Sequence, residues 1–280
     1  MQAVSFRYSF LALALTLSGV PGLAAQDPPK GDKPPQEKPQ EKPQDKAEPK
    51  AKQASVVEPE TKIEFPATTQ APGGGAHVLI GTGAARKPGE KEPAYAVGIY
   101  VDESKMQQHL ARYQGKDAAA LQKDTEFYRQ LLADDFPKSV RLVMARDVTA
   151  ADLRYWLDQT IQERVKAKGK EQDAGQKEEA DQAALEKFHA LVPSELKAGT
   201  VLSFYWDRGG RLTATSNDKQ VGTTDSAAIS WALFDGFMGT NPISEKARSE
   251  AYKNLAQRVQ AKEKSATPEE KPGAKKDGPE

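Results

Sequence analysis

Two periods of apolar residues run through the chain. Val78–Gly83 and Ala94–Val101 are dense in β-branched and aromatic side chains and are joined by the turn residues Lys87, Pro88 and Gly89, so they predict a β-hairpin. Val140, Leu142 and Met144 alternate with Arg141, Val143 and Ala145, which predicts another strand. Val201–Trp206, a tight turn at Asp207–Gly210 and Leu212–Thr215 predict a second hairpin, and Asn217–Lys219 turns again toward Gln220 and Val221. Between these lie helical spacings. Met106, Leu110 and Tyr113 mark one stretch, and Leu121, Tyr128, Leu131 and Leu132 a second, ended by Asp135, Phe136 and Pro137. Thr149 and Asp152 form a capping box that opens a helix with Leu153, Trp156, Leu157, Thr160, Ile161 and Val165 on one face. Residues 188–196 read as a short helix or turn. Residues 226–238 read as an apolar helix, and Pro242 opens a last helix to about Arg258. Strands, helices, strands, helices in that order predict an α+β fold, an antiparallel β-sheet with helices packed on one face.

The periodicity stops at both ends. Arg7, the apolar run Phe10–Val20 and the small residues Ala24 and Ala25 have the layout of a secretory signal peptide over residues 1–25. Residues 26–55 repeat Pro, Lys, Glu and Gln without a large apolar side chain before Val56, which predicts a disordered linker, and residues 261–280 read as a disordered tail. A polar insertion at 166–184 interrupts the remaining domain, residues 56–260. The expectation is an exported protein, periplasmic or extracellular, without a stable membrane span once the signal is removed.

Composition narrows the chemistry. Forty Lys and Arg balance forty Asp and Glu over 280 residues, which leaves no basic excess for general nucleic-acid binding. Absent cysteines exclude disulfides, zinc–thiolate sites and thiol catalysis. His77, His109 and His189 stand apart, without metal-ligand spacing, and read as surface or half-buried residues; no metal or cofactor is expected. Gly81-Thr82-Gly83 resembles the start of a dinucleotide fingerprint, but the third glycine is missing and a strand follows. No nucleophile elbow is present. Arg86 and Tyr95 flank the first hairpin turn. If the strands pair around Pro88 and Gly89, their side chains meet and offer a cationic fork and a phenolic donor to a carboxylate or enolate oxygen. The competing reading is an exposed turn arginine and a core tyrosine.

Gly81–Lys87 followed by Tyr95–Val101 resembles the paired strands of the chalcone isomerase-like family. Lys138–Met144, Val148–Asp152, Gly199–Tyr205, Ile229–Gly239 and Pro242–Ser244 resemble its later pieces in the same order, over about residues 75–257. The family includes plant isomerases, fatty-acid-binding proteins and bacterial relatives. The resemblance implies an open-faced sandwich with a ligand cleft between sheet and helices. It also implies that Tyr95 stands where the isomerases carry a catalytic threonine and the fatty-acid-binding branch a tyrosine. By the same resemblance Arg86 matches the family arginine one residue late, Leu153 stands near the catalytic tyrosine and Thr160 near the active-site asparagine. These departures favour a non-catalytic binder of a small apolar ligand such as a fatty acid, with Arg86, Tyr95 and Thr160 as ligand-binding residues. The alternatives are an isomerase of the intramolecular lyase type acting on a chalcone-like enone, and a structural or partner-binding envelope protein.

Overall fold

A computed structural model of the chain describes residues 54–87, 89–169 and 177–260. Contacts divide the chain into residues 1–49 and 50–280, and every described residue belongs to the second unit. The signal-peptide segment 1–25, nearly all of the linker 26–55, and the tail 261–280 lie outside the described residues, as do residues 170–176 of the insertion.

The described chain opens with three short strands, β1 (Ser55–Val57), β2 (Glu64–Pro66) and β3 (Thr68–Gln70). At three residues each, they are too short to show alternation in the sequence. The long hairpin follows, β4 (Ala76–Arg86) and β5 (Pro93–Asp102). Three helices come next where two were expected: α1 (Glu103–Leu110), α2 (Ala118–Lys123) and α3 (Thr125–Leu131). Asp124 causes the extra break. Its backbone is extended, so α2 ends there, and its side chain accepts a hydrogen bond from Phe127 N, so α3 begins there.

The chain continues through β6 (Lys138–Met144), β7 (Val148–Thr149), α4 (Ala150–Gly169), α5 (Lys177–His189) and β8 (Glu195–Leu196). The N-cap half of the expected capping box is present: Thr149 Oγ1 accepts from Asp152 N at 3.0 Å, and it donates to the Asp152 carboxylate at 2.8 Å. Phe188 belongs to α5, a full helix in place of the short turn expected around it. The last elements are β9 (Val201–Trp206), β10 (Arg211–Ser216), β11 (Lys219–Asp225), α6 (Ala227–Met238) and α7 (Glu245–Gln260).

Seven strands form one antiparallel sheet in the order β11-β10-β9-β6-β5-β4-β3. The helices pack on one face of it, as the patterning predicts. The main core lies in that layer, and a smaller cluster around Phe65, Leu79, Ala96 and Tyr100 lies on the opposite face beneath β2. The apolar α6 is enclosed by the layer and buries two of its three aromatic residues, Phe234 and Phe237, while Trp231 is half-buried.

The pairing of β3 covers only the start of β4, Ala76 to Val78, and leaves the outer edge of β4 open beyond that point. Helix α7 covers it. Glu250 accepts from Thr82 N and Thr82 Oγ1 at 3.0 and 3.1 Å, and Asn254 Nδ2 donates to Ile80 O at 2.7 Å. Side chains of a helix thus satisfy edge groups that a neighbouring strand would otherwise take. This docking explains Gly81 and Gly83. A Cβ on Gly81 would lie 2.3 Å from Ala247 O, and one on Gly83 2.8 Å from Ala247 N. The glycines let a helix backbone rest on a strand; they do not form a phosphate loop.

Candidate ligand site between the sheet and the helices

Alternation places Tyr95, Val97, Ile99 and Val101 of β5 on the helix-facing side, beside Met144, Leu142, Val140 and Lys138 of β6. The register pairs Tyr95 with Met144 at one end and Val101 with Lys138 at the other. Beneath α3 and α6, Ile80, Ile99, Val101, Leu131, Leu132, Phe234, Met238 and Lys138 line a cavity of about 10 Å³. That is room for about one water molecule. Seven of its eight lining side chains are apolar, and Lys138 lines it with its hydrocarbon stem only.

Lys138 is 3% exposed. Its Nζ donates to Ala133 O at 2.7 Å and lies 4.3 Å from the centre of the Phe136 ring and 4.2 Å from that of Trp206. Burial pushes its amine down to about 7, against a weaker opposing pull from Asp134 and Asp135. The sequence contained a signal for this residue: stepping back by two from Val140 puts position 138 on the buried face. Lysine there reads as the polar start of a strand unless the period is followed through.

The structure does not bring Arg86 to Tyr95. Tyr95 faces Ala85 across the hairpin, while Arg86 faces Pro93 after an irregularity in the register. The Arg86 side chain is about two-fifths exposed, pairs with Glu60 and donates from Nε to Lys91 O at 2.8 Å. Glu60 lies in the turn between β1 and β2, a segment that carried no sequence signal. Tyr95 is 2% exposed in the helix-facing core, and burial alone raises its hydroxyl above the ordinary tyrosine range. Thr160 sits half-buried on α4, its methyl group close against Gly236 of α6, where a Cβ would approach it to 2.5 Å. No hydrogen bond joins these three residues.

A polar cluster lies between the helices. Asp235 of α6 accepts from Tyr128 Oη of α3 through one carboxylate oxygen and from Arg164 Nε of α4 through the other. Arg164 also donates to Thr160 O at 3.0 Å and to Asn241 O at 2.7 Å. Burial, then the adjacent carboxylate, raises the Tyr128 hydroxyl, so the tyrosine stays a neutral donor. The cluster is self-satisfied and ties three helices together.

Leu153 is fully buried in the core, so no tyrosine hydroxyl stands at that point of α4. His77 was expected to be a surface or half-buried residue, but it is 1% exposed, with Nδ1 2.8 Å from Ser139 Oγ, and burial pushes it down to about 4. Among the described residues no group of three His, Asp or Glu side chains is placed to hold a metal ion. No described helix is long and apolar enough to cross a membrane.

Comparison with known proteins places this architecture. The chalcone-flavanone isomerase family matches residues 61–261. Fatty-acid-binding protein 2 of Arabidopsis thaliana is 30% identical over 211 residues, covering 69% of this chain and 49% of that protein, so the chain spans about half of that relative's length. A chalcone–flavanone isomerase of Oryza sativa subsp. japonica is 29% identical over 74% of this chain and 93% of its own. The crystal structure of a fatty-acid-binding protein of Arabidopsis thaliana superposes with a TM-score of 0.62 over 74% of this chain and 99% of its own, at 21% identity, and shares the fold. With a matched region that takes in the whole sheet and every described helix, the chain belongs to the chalcone-flavanone isomerase family.

Proposed function

We propose that this protein binds an apolar carboxylate, a fatty acid or a ligand of that shape, in the layer between sheet and helices, and performs no reaction on it. One observation carries the reading: the cavity in that layer, between the sheet and the helices, has apolar walls throughout. Apolar walls take a hydrocarbon chain. The names of the fatty-acid-binding relatives agree with it. As it stands, the cavity has room for about one water molecule and not for an acyl chain. Binding therefore displaces Leu131, Leu132 and Met238, all at the ends of α3 and α6, where local opening costs least.

The proposed ligand layer is bounded by Tyr95 at one end. Arg86 would join only by leaving Glu60. Isomerisation is the second reading, favoured by the isomerase relatives. Against it, Leu153 supplies no hydroxyl, and Arg86, Tyr95 and Thr160 are not assembled around one point. We further place the protein outside the cytoplasm, on the strength of residues 1–25.

Solvent extraction of the purified protein followed by mass spectrometry tests the reading. The expected result is fatty acid in near-stoichiometric amount. A ligand-free protein that takes up no added palmitate, yet bleaches the chalcone absorbance band faster than the spontaneous rate, would sink it in favour of the isomerase.

A further inference from the structure

The sheet face turned away from the helices carries a polar row set by the register. Arg141 of β6, Ser203 of β9 and Thr215 of β10 stand opposite one another, beside a second row of Tyr100, Ser139, Tyr205 and Thr213. Two of these hydroxyls have partners: Tyr100 Oη donates to Pro66 O at 3.1 Å, and Ser139 Oγ lies 2.8 Å from His77 Nδ1. Ser203 and Thr215 differ. They are 1% and 4% exposed, and neither hydroxyl makes a hydrogen bond to a described residue. A buried hydroxyl without a partner costs stability, so alanine and valine would serve the fold at least as well. The Tyr205 hydroxyl stands beside both. Burial raises it above the ordinary tyrosine range, against the pull of the Arg141 cation and of the Ser203 and Thr215 hydroxyls, so it stays a neutral donor. Arg141 reaches across β9 to Asp218, in the turn between β10 and β11, at 3.2 Å. The arginine side chain is 16% exposed and the aspartate 75%, so the cation is held by a carboxylate that sits mostly in water.

We propose that Arg141, Tyr205, Ser203 and Thr215 form a site for a tetrahedral oxyanion, the phosphate or sulfate group of a small solute, and that Asp218 is the carboxylate this group displaces. The four side chains bring together a guanidinium and three hydroxyls, all of which can donate to one acceptor group. A polyol carries no charge for the guanidinium, and a carboxylate offers two oxygens. A phosphate or sulfate group offers up to four, one for each donor. Asp218 is the partner that can leave, because an exposed ion pair of this kind contributes little. The helices pack on the other face, so a solute reaches Arg141 and the turn without any helix moving. The site is separate from the apolar layer and does not depend on what that layer holds.

The test is isothermal titration of the full chain and of its Arg141→Gln, Ser203→Ala, Thr215→Val and Asp218→Asn variants with inorganic phosphate, glycerol 3-phosphate, sulfate and acetate. Each is also melted in phosphate and in chloride at equal ionic strength. The parent should bind a phosphate or sulfate probe with a Kd on the order of 1 mM or tighter, and acetate about tenfold more weakly. Tighter binding of glycerol 3-phosphate assigns the site to an ester, and tighter binding of phosphate or sulfate to the free anion. Arg141→Gln should lose about tenfold or more. Ser203→Ala and Thr215→Val should lose about threefold each yet melt no lower than the parent, because a buried hydroxyl without a partner is gone. Asp218→Asn should gain about threefold, since asparagine tolerates the left-handed backbone at φ 64° and removes the competing charge. A parent and an Asp218→Asn variant that bind no oxyanion more tightly than acetate overturn the proposal. So do Ser203→Ala and Thr215→Val variants that melt lower but bind phosphate as the parent does, which are purely structural hydroxyls. If Arg141→Gln does not fold, Asp218→Asn decides: phosphate should raise its melting point more than the parent's, and an equal or smaller rise overturns the proposal.

Discussion

Asp235 holds two partners with its two oxygens, Tyr128 on one and Arg164 on the other, and both ion-pair side chains are at most 13% exposed. Truncating Asp235→Ala leaves a largely buried guanidinium without its counter-ion, and unfolding in urea should show a loss of about 3–5 kcal/mol. Tyr128→Phe removes one donor and leaves the ion pair, so its loss should be smaller, about 1–2 kcal/mol. His77 sets an acid limit of a different kind. Its folded pKa, about 4, lies below its ordinary value, so the unfolded chain binds the proton more tightly between those two values. Stability from neutral His77 is full above about pH 6.5 and is lost as the pH falls toward 4, on the order of 3 kcal/mol in all. His77→Gln should flatten that slope of the urea midpoint against pH, and an unchanged slope would show that the histidine is accessible. At this scale the sequence was a partial guide. Lys138 was legible through its period of two. His77 was not, because Ser139 and Tyr205, which enclose it, come from strands far along the chain. Arg86 and Tyr95 were legible as a pair of types, but the hairpin's irregular register and Glu60 set them apart.

Among the elements, the contact of α7 with β4 has the least slack. Gly81→Ala would drive a methyl group into the backbone at Ala247 and push the helix off the strand edge that Glu250 and Asn254 satisfy. A loss of about 1–3 kcal/mol is expected by chemical denaturation. If the variant matches the parent, the helix does not rest on the strand as described. The hairpins, the capping box and α6 were all legible, since each carries a periodic run or a cap within a few residues. Strands β1 to β3 were not, and neither was the role of Gly81 and Gly83. A three-residue strand has no period, and a glycine that admits a helix backbone looks the same in sequence as one that admits a phosphate.

For the molecule as a whole, order of elements was the strongest sequence signal, and it led to an antiparallel sheet with helices on one face, which the structure and the family both show. The site was less legible because it is a layer and not a motif: its walls come from β4, β5, β6, α3 and α6, and the spacings of its side chains are those of any buried strand or helix face. The proposed function requires this layer to open, to hold one apolar acid and to do no chemistry on it. Isothermal titration of the full chain with palmitate tests it most directly. Saturable one-to-one binding is expected, with a Kd of about 1 μM or tighter and a negative heat-capacity change from apolar burial. Absence of saturable binding would contradict it.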